Sequence, residues 1–256
     1  MGILNFFSAY LKRSNRVRIG RYYLDLDTNN PHEREYLKSI KNNDFCIAKT
    51  LINKSDKVLD LGANIGFTAL LYLKFGAKEV YAFEPIPELA ERIESIGSNE
   101  IKVFDSAVGD KNGFENIYLS TTHNQGHSLN EEWPVRFDHV FQEKQTLQIK
   151  ITTLDTVFKS EVFDFIKIDV EGMEEKTLLG GEVFFQRNKN AIVQVEIYDW
   201  QFENTHKLLS QFYSYAYIPI IKDLKIIKFE RIFSLEDSNK FGFNGAPNYI
   251  YSNRPL

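Results

Sequence analysis

The sequence is short of cysteine, of long apolar runs and of basic charge. Its 256 residues contain a single cysteine, Cys46, so no internal disulfide can form and we expect a reducing compartment, the cytoplasm. No apolar run is long enough to cross a bilayer. The 31 basic residues are outnumbered by 35 acidic ones, for a net charge of -4, so bulk charge does not favour a nucleic-acid partner.

The amino-terminal segment has apolar side chains at helical spacing, followed by five basic residues that extend to Arg21. The apolar residues are Ile3, Phe6, Phe7, Tyr10 and Leu11. We expect an amphipathic helix that packs on its own domain or on the second subunit of a homodimer. Peripheral contact of residues 1–21 with an anionic membrane surface is the less favoured alternative. The order of charged and apolar residues does not fit a signal peptide.

A glycine loop follows a short apolar run at residues 58–66, which read VLDLGANIG. The pattern predicts a buried strand, a tight turn and the first turn of a helix. Glycine lets a backbone turn sharply or approach a ligand, and the start of a helix presents free N–H groups. The next strand ends in Glu84-Pro85. Its carboxylate then lies where doubly wound sheets bind nucleosides, and it suits the two hydroxyls of a ribose.

Two common nucleoside loops do not fit these residues. A P-loop requires a lysine that is missing here, and a dinucleotide loop requires GxGxxG, whereas Ala63-Asn64 follows Gly62. The pattern DxGxxxG, with an acidic residue ending the next strand, instead resembles the S-adenosylmethionine (SAM) loop of class I methyltransferases. The resemblance implies that SAM is the cofactor. The residues expected to bind it are Asp60, Gly62, Ala63, Asn64, Gly66 and Glu84, with Asp105, Ser106 and Ala107 beside the adenine.

Strands and helices alternate regularly from residue 58 onwards. We predict strands at 58–61, 79–84, 101–108, 163–170 and 191–195, with helices at 67–75 and 87–96. Such alternation specifies a parallel sheet with right-handed crossovers. With a closing antiparallel pair of strands, we expect the α/β, Rossmann-like class I methyltransferase fold. That fold is a mostly parallel seven-stranded sheet with helices on both faces.

The domain organisation follows from where this alternation begins. Residues 1–55 are expected to form an N-terminal extension, a lid or packing segment with a strand or hairpin arm at 19–27 and helical patterning over 33–53. Residues 56–256 are expected to form the methyltransferase domain. A β insertion at about 109–155 interrupts it, and an insertion of this length is usually a functional covering or an added sheet.

Acidic residues follow two of the later strands. Asp169 and Glu171 lie at the end of the strand at 163–170, and Glu196 ends the next one. Because the carboxyl ends of parallel strands meet at one edge, these three carboxylates should face one cleft. Crowded carboxylates are costly unless they bind a proton, a cation or a sulfonium. Asp169 with Glu196 is therefore a candidate Mg²⁺ site.

Together these motifs resemble the FkbM family of SAM-dependent methyltransferases. The matching stretches are VLDLGANIG at 58–66, AFEP at 82–85, AVGD at 107–110, GHSL at 126–129, TLD at 153–155, FIKIDVEGME at 165–174, LGG at 179–181 and VE at 195–196. The resemblance implies O-methylation of hydroxyl groups, commonly on sugars of glycans or on polyketides. It leaves the acceptor open.

Methylation of a hydroxyl group needs a proton acceptor. A sugar hydroxyl is weakly acidic, so a base must take its proton during transfer or a divalent cation must lower its pKa. We expect Asp169 to be the central catalytic residue. His127, in a polar loop of the insertion, and Glu171 are the alternative proton acceptors.

Three other functions compete with this hypothesis. A SAM-binding module without turnover is disfavoured by the intact loop, the ribose carboxylate and the cleft acids. A nucleic-acid methyltransferase is disfavoured by the missing Asn-Pro-Pro-aromatic motif and by the acidic chain. An NAD-dependent sugar oxidoreductase is disfavoured by the missing close glycine pair.

Overall fold

A computed structural model describes residues 15–120, 122–137, 140, 145–242 and 246–256. The amphipathic helix predicted around residues 3–11 lies outside the described residues. Within the described ranges, none of the helices combines the length and the apolar character that a membrane span requires.

The chain described begins with a hairpin and two short helices. They are β1 (Asn15–Ile19), β2 (Tyr22–Leu26), α1 (Pro31–Lys38) and α2 (Asn43–Leu51). The helical patterning predicted over 33–53 is therefore interrupted. The reason is local: the Asn42 side chain accepts a hydrogen bond from the N–H of Phe45 and so starts a new helix.

The regular alternation predicted from residue 58 is confirmed, and apart from the end of the third strand the bounds differ by at most one residue as far as the helix predicted at 87–96. Its elements are β3 (Lys57–Leu61), α3 (Phe67–Phe75), β4 (Glu79–Phe83), α4 (Pro87–Ser95) and β5 (Ile101–Phe104). The three strands pair in parallel. The strand predicted at 101–108 is wrong in its second half, because the chain leaves this sheet after Phe104.

The following segment builds a separate three-stranded sheet. Its elements are β6 (Ala107–Val108), β7 (Gly113–Tyr118), α5 (Trp133–Arg136) and β8 (Thr146–Thr152). The strand order is β6-β8-β7, in which β8 pairs in parallel with β6 and antiparallel with β7.

The remaining elements complete the large sheet. They are α6 (Leu154–Val157), β9 (Phe165–Ile168), α7 (Glu174–Leu179), α8 (Glu182–Arg187), β10 (Ile192–Glu196), α9 (Phe202–Leu209), β11 (Tyr215–Lys222), β12 (Lys225–Arg231), α10 (Leu235–Asn239) and β13 (Asn248–Ser252). The strand order is β12-β11-β13-β10-β9-β3-β4-β5.

This sheet has eight strands among the described residues, whereas the sequence predicted seven. The extra strand arises at Asp223 and Leu224, which both have positive φ angles of 50° and 57°. Two consecutive residues of this kind make a tight hairpin turn, so β11 folds back at once into β12.

The large sheet is packed on both faces. Val58 and Leu59 are fully buried and belong to different hydrophobic clusters, as the alternation of side chains along a strand requires. Strands β3, β4, β9 and β10 run in parallel, so their carboxyl ends meet at one edge of the sheet. The predicted site residues lie along this edge.

Candidate active site

The glycine loop after β3 is held tightly between two other strand ends. The N–H groups of Gly62 and Ala63 both donate to the carbonyl oxygen of Phe83, at 3.0 and 2.9 Å. Gly62 has a φ of +84°, and a Cβ atom there would lie 1.8 Å from the backbone oxygen of Asp169. Only glycine satisfies both constraints. The loop is thereby fixed against the ends of β4 and β9.

Glu84, at the end of β4, is bonded to this loop. Its carboxylate accepts the N–H of Asn64 at 2.9 Å through one oxygen and the N–H of Ile86 at 2.9 Å through the other. Burial raises the pKa of Glu84 to about 8, against the opposing effect of these two hydrogen bonds. Each carboxylate oxygen has two lone pairs, so both oxygens retain capacity for the hydroxyl donors of a ribose.

Asp60 lies beneath the loop. It is fully buried, and one oxygen accepts the Thr68 hydroxyl at 2.6 Å while the other has no hydrogen-bond partner among the described residues. Burial raises the pKa of Asp60 to about 6. Since Asp60 is absent from the cavity wall, the structure gives it a supporting position under the loop.

A cavity of about 610 Å³ extends along the carboxyl edge of the sheet. Its volume is within the range of ligand-binding pockets. The predicted residues that line it are Gly62, Ala63, Asn64, Glu84, Ser106, Ala107, His127, Asp169, Glu171 and Glu196. Gly66 and Asp105 do not line it. Asp105 is exposed because β5 ends at Phe104 and the chain turns towards the second sheet.

The N-terminal segment and the insertion cover one end of the cavity. The side-chain contacts that hold these two segments there were not predicted from the sequence. Tyr36 of α1 stacks on Phe67, with ring centroids 3.9 Å apart. The backbone carbonyl oxygen of Asn124, in the insertion, accepts a hydrogen bond from the Asn64 side-chain amide at 2.7 Å. The Asn124 side-chain amide donates a hydrogen bond to the buried Glu33 carboxylate at 2.8 Å. A chain of hydrogen bonds therefore joins the glycine loop to both covering segments.

Lys167 and Asp169 form a buried ion pair at the end of β9. The Lys167 ammonium lies 2.5 Å from an Asp169 oxygen, and the lysine is 3% exposed. Lys167 was missed, although residues two apart on a strand point to the same face and this spacing could have identified it. Burial opposes the charge of Lys167, but Asp169, Asp44 and Asp60 together raise its pKa above the ordinary value.

Glu171 and Glu196 lie in the cavity wall without any partner for their side chains among the described residues. Burial raises the pKa of both groups well above the usual range, and the neighbouring Asp169 charge adds to this effect. Glu171 also has a φ of +49°, which is uncommon for a residue with a side chain. The structure thus places Asp169, Glu171 and Glu196, the three carboxylates expected to face one cleft, in the wall of one cavity.

The predicted Mg²⁺ site receives no support. Among the described residues, no group of three or more histidine, cysteine or acidic side chains comes together as a metal site. The physical reason is Lys167, whose ammonium already neutralises the Asp169 carboxylate that was expected to bind the cation.

His127 lines the cavity but is a weak base. Its Nδ1 accepts the backbone N–H of Ser120 at 2.9 Å. Burial, with a smaller contribution from the charge of His123, lowers the pKa of His127 to about 4. His127 is therefore neutral near pH 7.

Trp133, Phe137 and Tyr198 form an aromatic wall in the cavity that the carboxylates also line. The Trp133 and Tyr198 rings meet edge to face, with centroids 5.3 Å apart. A Cβ atom on Gly172 would lie 2.5 Å from the Trp133 ring, so the absence of a side chain there lets the indole pack on the backbone beside Glu171. No pattern in the sequence predicts this wall, because its members meet only through tertiary contacts.

Comparisons with known proteins agree with this geometry. A family model described as "Methyltransferase FkbM domain" matches residues 60–219. The solved structure of methyltransferase FkbM from Methylobacillus flagellatus KT is similar at a TM-score of 0.52 and 16% identity, covering 85% of this chain and 50% of that one. The chain thus spans half the length of that protein. This likeness confirms the class I methyltransferase fold expected from the sequence.

Two further solved structures have lower similarity. Ribosomal protein L11 methylase from Lactobacillus delbrueckii subsp. bulgaricus has a TM-score of 0.47 and 12% identity, covering 94% of this chain and 100% of that one. An rRNA methylase from Streptococcus thermophilus has a TM-score of 0.44 and 12% identity, covering 90% and 99%. No curated protein matches the sequence.

Proposed function

Because the chain belongs to the FkbM methyltransferase family, we propose that it is a SAM-dependent O-methyltransferase that acts on a hydroxyl group of a sugar. The observation that carries the proposal is the position of Glu84. Its carboxylate is bonded to the glycine loop through Asn64 and lines the cavity at the end of β4, where a nucleoside ribose binds in folds of this kind.

The residues in the cavity fit SAM. Glu84 would accept the ribose hydroxyls, and the backbone of Gly62, Ala63 and Asn64 would lie against the ligand. Ser106 and Ala107 line the cavity beyond β4 and would contact the adenine. When bound, SAM supplies an activated methyl group to the reaction. The excess of carboxylates in the cavity suits a ligand with a positively charged sulfonium.

The acceptor hydroxyl must lose a proton, and Asp169 is the proposed proton acceptor. Its carboxylate lines the cavity and is held by the ion pair with Lys167. Glu171 is the second candidate, because a raised pKa makes a carboxylate a stronger base. His127 is the weakest candidate, since its pKa is lowered and one ring nitrogen is already engaged.

The experiment is a panel of hydroxyl compounds incubated with the full chain and SAM. The panel contains free sugars, methyl glycosides, glycan fragments and a polyketide with free hydroxyls. Mass spectrometry should detect one added methyl on a sugar, together with S-adenosylhomocysteine. Methylation of the polyketide alone would contradict the sugar assignment. Binding of SAM without product from any compound of the panel would favour a non-catalytic module.

A further inference from the structure

The cavity is longer than the nucleoside half of the site. Glu84 and the glycine loop lie at the ends of β4 and β3. The cavity continues past the end of β9, where Glu171 lines it, to the end of β10, where Glu196 and Tyr198 line it. If Glu84 holds the ribose, as the proposed function requires, this second half is the space left for the acceptor.

The charge of this second half is one-sided. The carboxylates that line the whole cavity are Glu35, Asp44, Glu84, Asp169, Glu171 and Glu196. Among the described residues that line it, Lys167 is the only lysine or arginine, and its ammonium is committed to Asp169. Glu171 and Glu196 therefore share this single lysine with Asp169, and Lys167 makes its direct ion pair with Asp169.

The side chains of these two carboxylates also form no hydrogen bond that holds the described part of the fold together. The neighbouring Glu174 serves the backbone, because one of its oxygens accepts the N–H groups of Val170 and Gly172 at 3.2 and 3.3 Å. Glu171 makes no such side-chain bond. Its backbone is nevertheless held in the left-handed region, with its carbonyl oxygen accepting the Ser128 hydroxyl. Strain of this kind persists where the surroundings enforce it, and it concentrates at functional sites.

The aromatic wall lines the same cavity as these acids. Burial raises the pKa of Tyr198, and its hydroxyl is close enough to Glu171 and Glu196 for their charges to raise this pKa further. Tyr198 contacts Trp133 edge to face and lies 5.7 Å from Phe137 between ring centroids. Faces of aromatic rings attract cations, and the attraction is stronger when the cation is removed from water. Aromatic faces also pack against the apolar faces of a small ring such as that of a sugar. A cavity that combines an aromatic wall with two carboxylates, whose side chains accept no hydrogen bond from the described residues, has the chemistry that holds an ammonium group.

We propose that the acceptor carries a protonated amine near the hydroxyl that is methylated, and that Glu171 and Glu196 bind this amine against the wall of Trp133, Phe137 and Tyr198. An amino sugar with a free amine is the class of substrate that fits. The same charges disfavour acceptors with phosphate or carboxylate groups. A nucleotide-activated sugar is therefore a poor substrate, and methylation takes place on a free or glycosidically linked amino sugar.

The test measures binding on the full chain saturated with S-adenosylhomocysteine, whose uptake is first confirmed by calorimetry. Three methyl glycosides with the same ring are titrated by NMR below the pKa of the amine: the glucosaminide, its N-acetyl derivative and the glucoside. We expect the free amine to bind at least about tenfold more tightly than the other two, as a charge-assisted hydrogen bond predicts.

Two double variants isolate the carboxylates. Glu171→Gln with Glu196→Gln should abolish the preference for the amine. Glu91→Gln with Glu94→Gln makes the same change in net charge and should keep it. Glu91 and Glu94 are on the exposed surface of α4, outside the cavity.

The outcomes separate this inference from the proposed function. Failure of S-adenosylhomocysteine to bind would overturn the proposed function. Normal uptake with equal affinity for the three glycosides, or with none of them bound, would overturn the amine inference alone. A preference that survives in the Glu171 and Glu196 variant would overturn the assignment of these residues.

Discussion

The ammonium of Lys167 lies 2.5 Å from a carboxylate oxygen of Asp169, two residues further along the chain at the end of β9. The side chains are 4% and 26% exposed, so the pair is largely removed from water. Asp169 also lies close enough to Glu171, Glu174 and Glu196 for its charge to contribute to the raised pKa of each. Lys167 is thus the cation that makes this acidic edge tolerable.

Replacing Lys167 by Met should destabilise the protein. The Asp169 charge would remain without its partner in a partly buried site, and the loss of one member of such a pair costs about 3 kcal/mol in the free energy of unfolding. Urea denaturation measures the change. The matched control is Lys102→Met, whose exposed pair with Glu79 should contribute less than about 1 kcal/mol. Equal losses in the two variants would contradict the role of Lys167.

Asp169→Asn should reduce turnover and leave cofactor binding intact. The amide keeps the shape of the side chain but cannot take the proton of the acceptor, and general bases contribute about 100-fold or more to rate. The measurement is S-adenosylhomocysteine production from an acceptor found in the panel. Asp105→Asn is the control, because Asp105 is exposed outside the cavity. Full turnover by Asp169→Asn would remove this residue from catalysis.

Gly62→Ala should destabilise the protein more than Gly97→Ala does. Both glycines have positive φ angles, of 84° and 70°. A Cβ atom at Gly97 meets nothing within 4 Å, whereas one at Gly62 would lie 1.8 Å from the Asp169 backbone oxygen. We expect about 1 kcal/mol from backbone strain at Gly97, and several kcal/mol at Gly62. Similar melting temperatures for the two variants would show that β9 does not constrain the loop.

The ligand-free protein should lose stability as pH rises from about 4 to about 8. The pKa of Glu84 is about 8 in the folded protein, whereas a glutamate in the unfolded chain has an ordinary pKa of about 4.3. As pH rises between these two values, the unfolded chain releases the proton before the folded protein does, and unfolding is favoured. Glu84→Gln removes one titrating group, and the fall in stability should become smaller. Chemical denaturation across this pH range measures it. An identical fall in the variant would mean that Glu84 titrates normally in the folded protein.

Local patterns were sufficient to predict much of the fold. The unit from β3 to α4 was predicted almost to the residue. Its buried strands and the positive-φ glycine Gly76 that ends α3 are determined by residues close to them in sequence. The sheet closes with three strands, β11, β12 and β13, where a closing pair was expected, because the chain reverses at Asp223 and Leu224 in a turn that lacks the usual glycine or asparagine.

The site was predicted where it depends on strand ends and missed where it depends on distant contacts. Glu84, Asp169 and Glu196 were identified because the carboxyl ends of parallel strands share one edge. The aromatic wall was missed, because Trp133 reaches the cavity only by packing on Gly172. Asp105 was expected beside the adenine, but that expectation required β5 to continue past Phe104.

The central claim is that Glu84 and the glycine loop bind the cofactor, and calorimetry with S-adenosylhomocysteine tests it most directly. The wild type should bind, and affinity should increase with pH up to about 8, because ribose hydroxyls favour the ionised Glu84 carboxylate. Glu84→Gln should bind about tenfold more weakly or worse, with little dependence on pH. No uptake by well-folded wild-type protein, or equal affinity in the variant, would contradict the account.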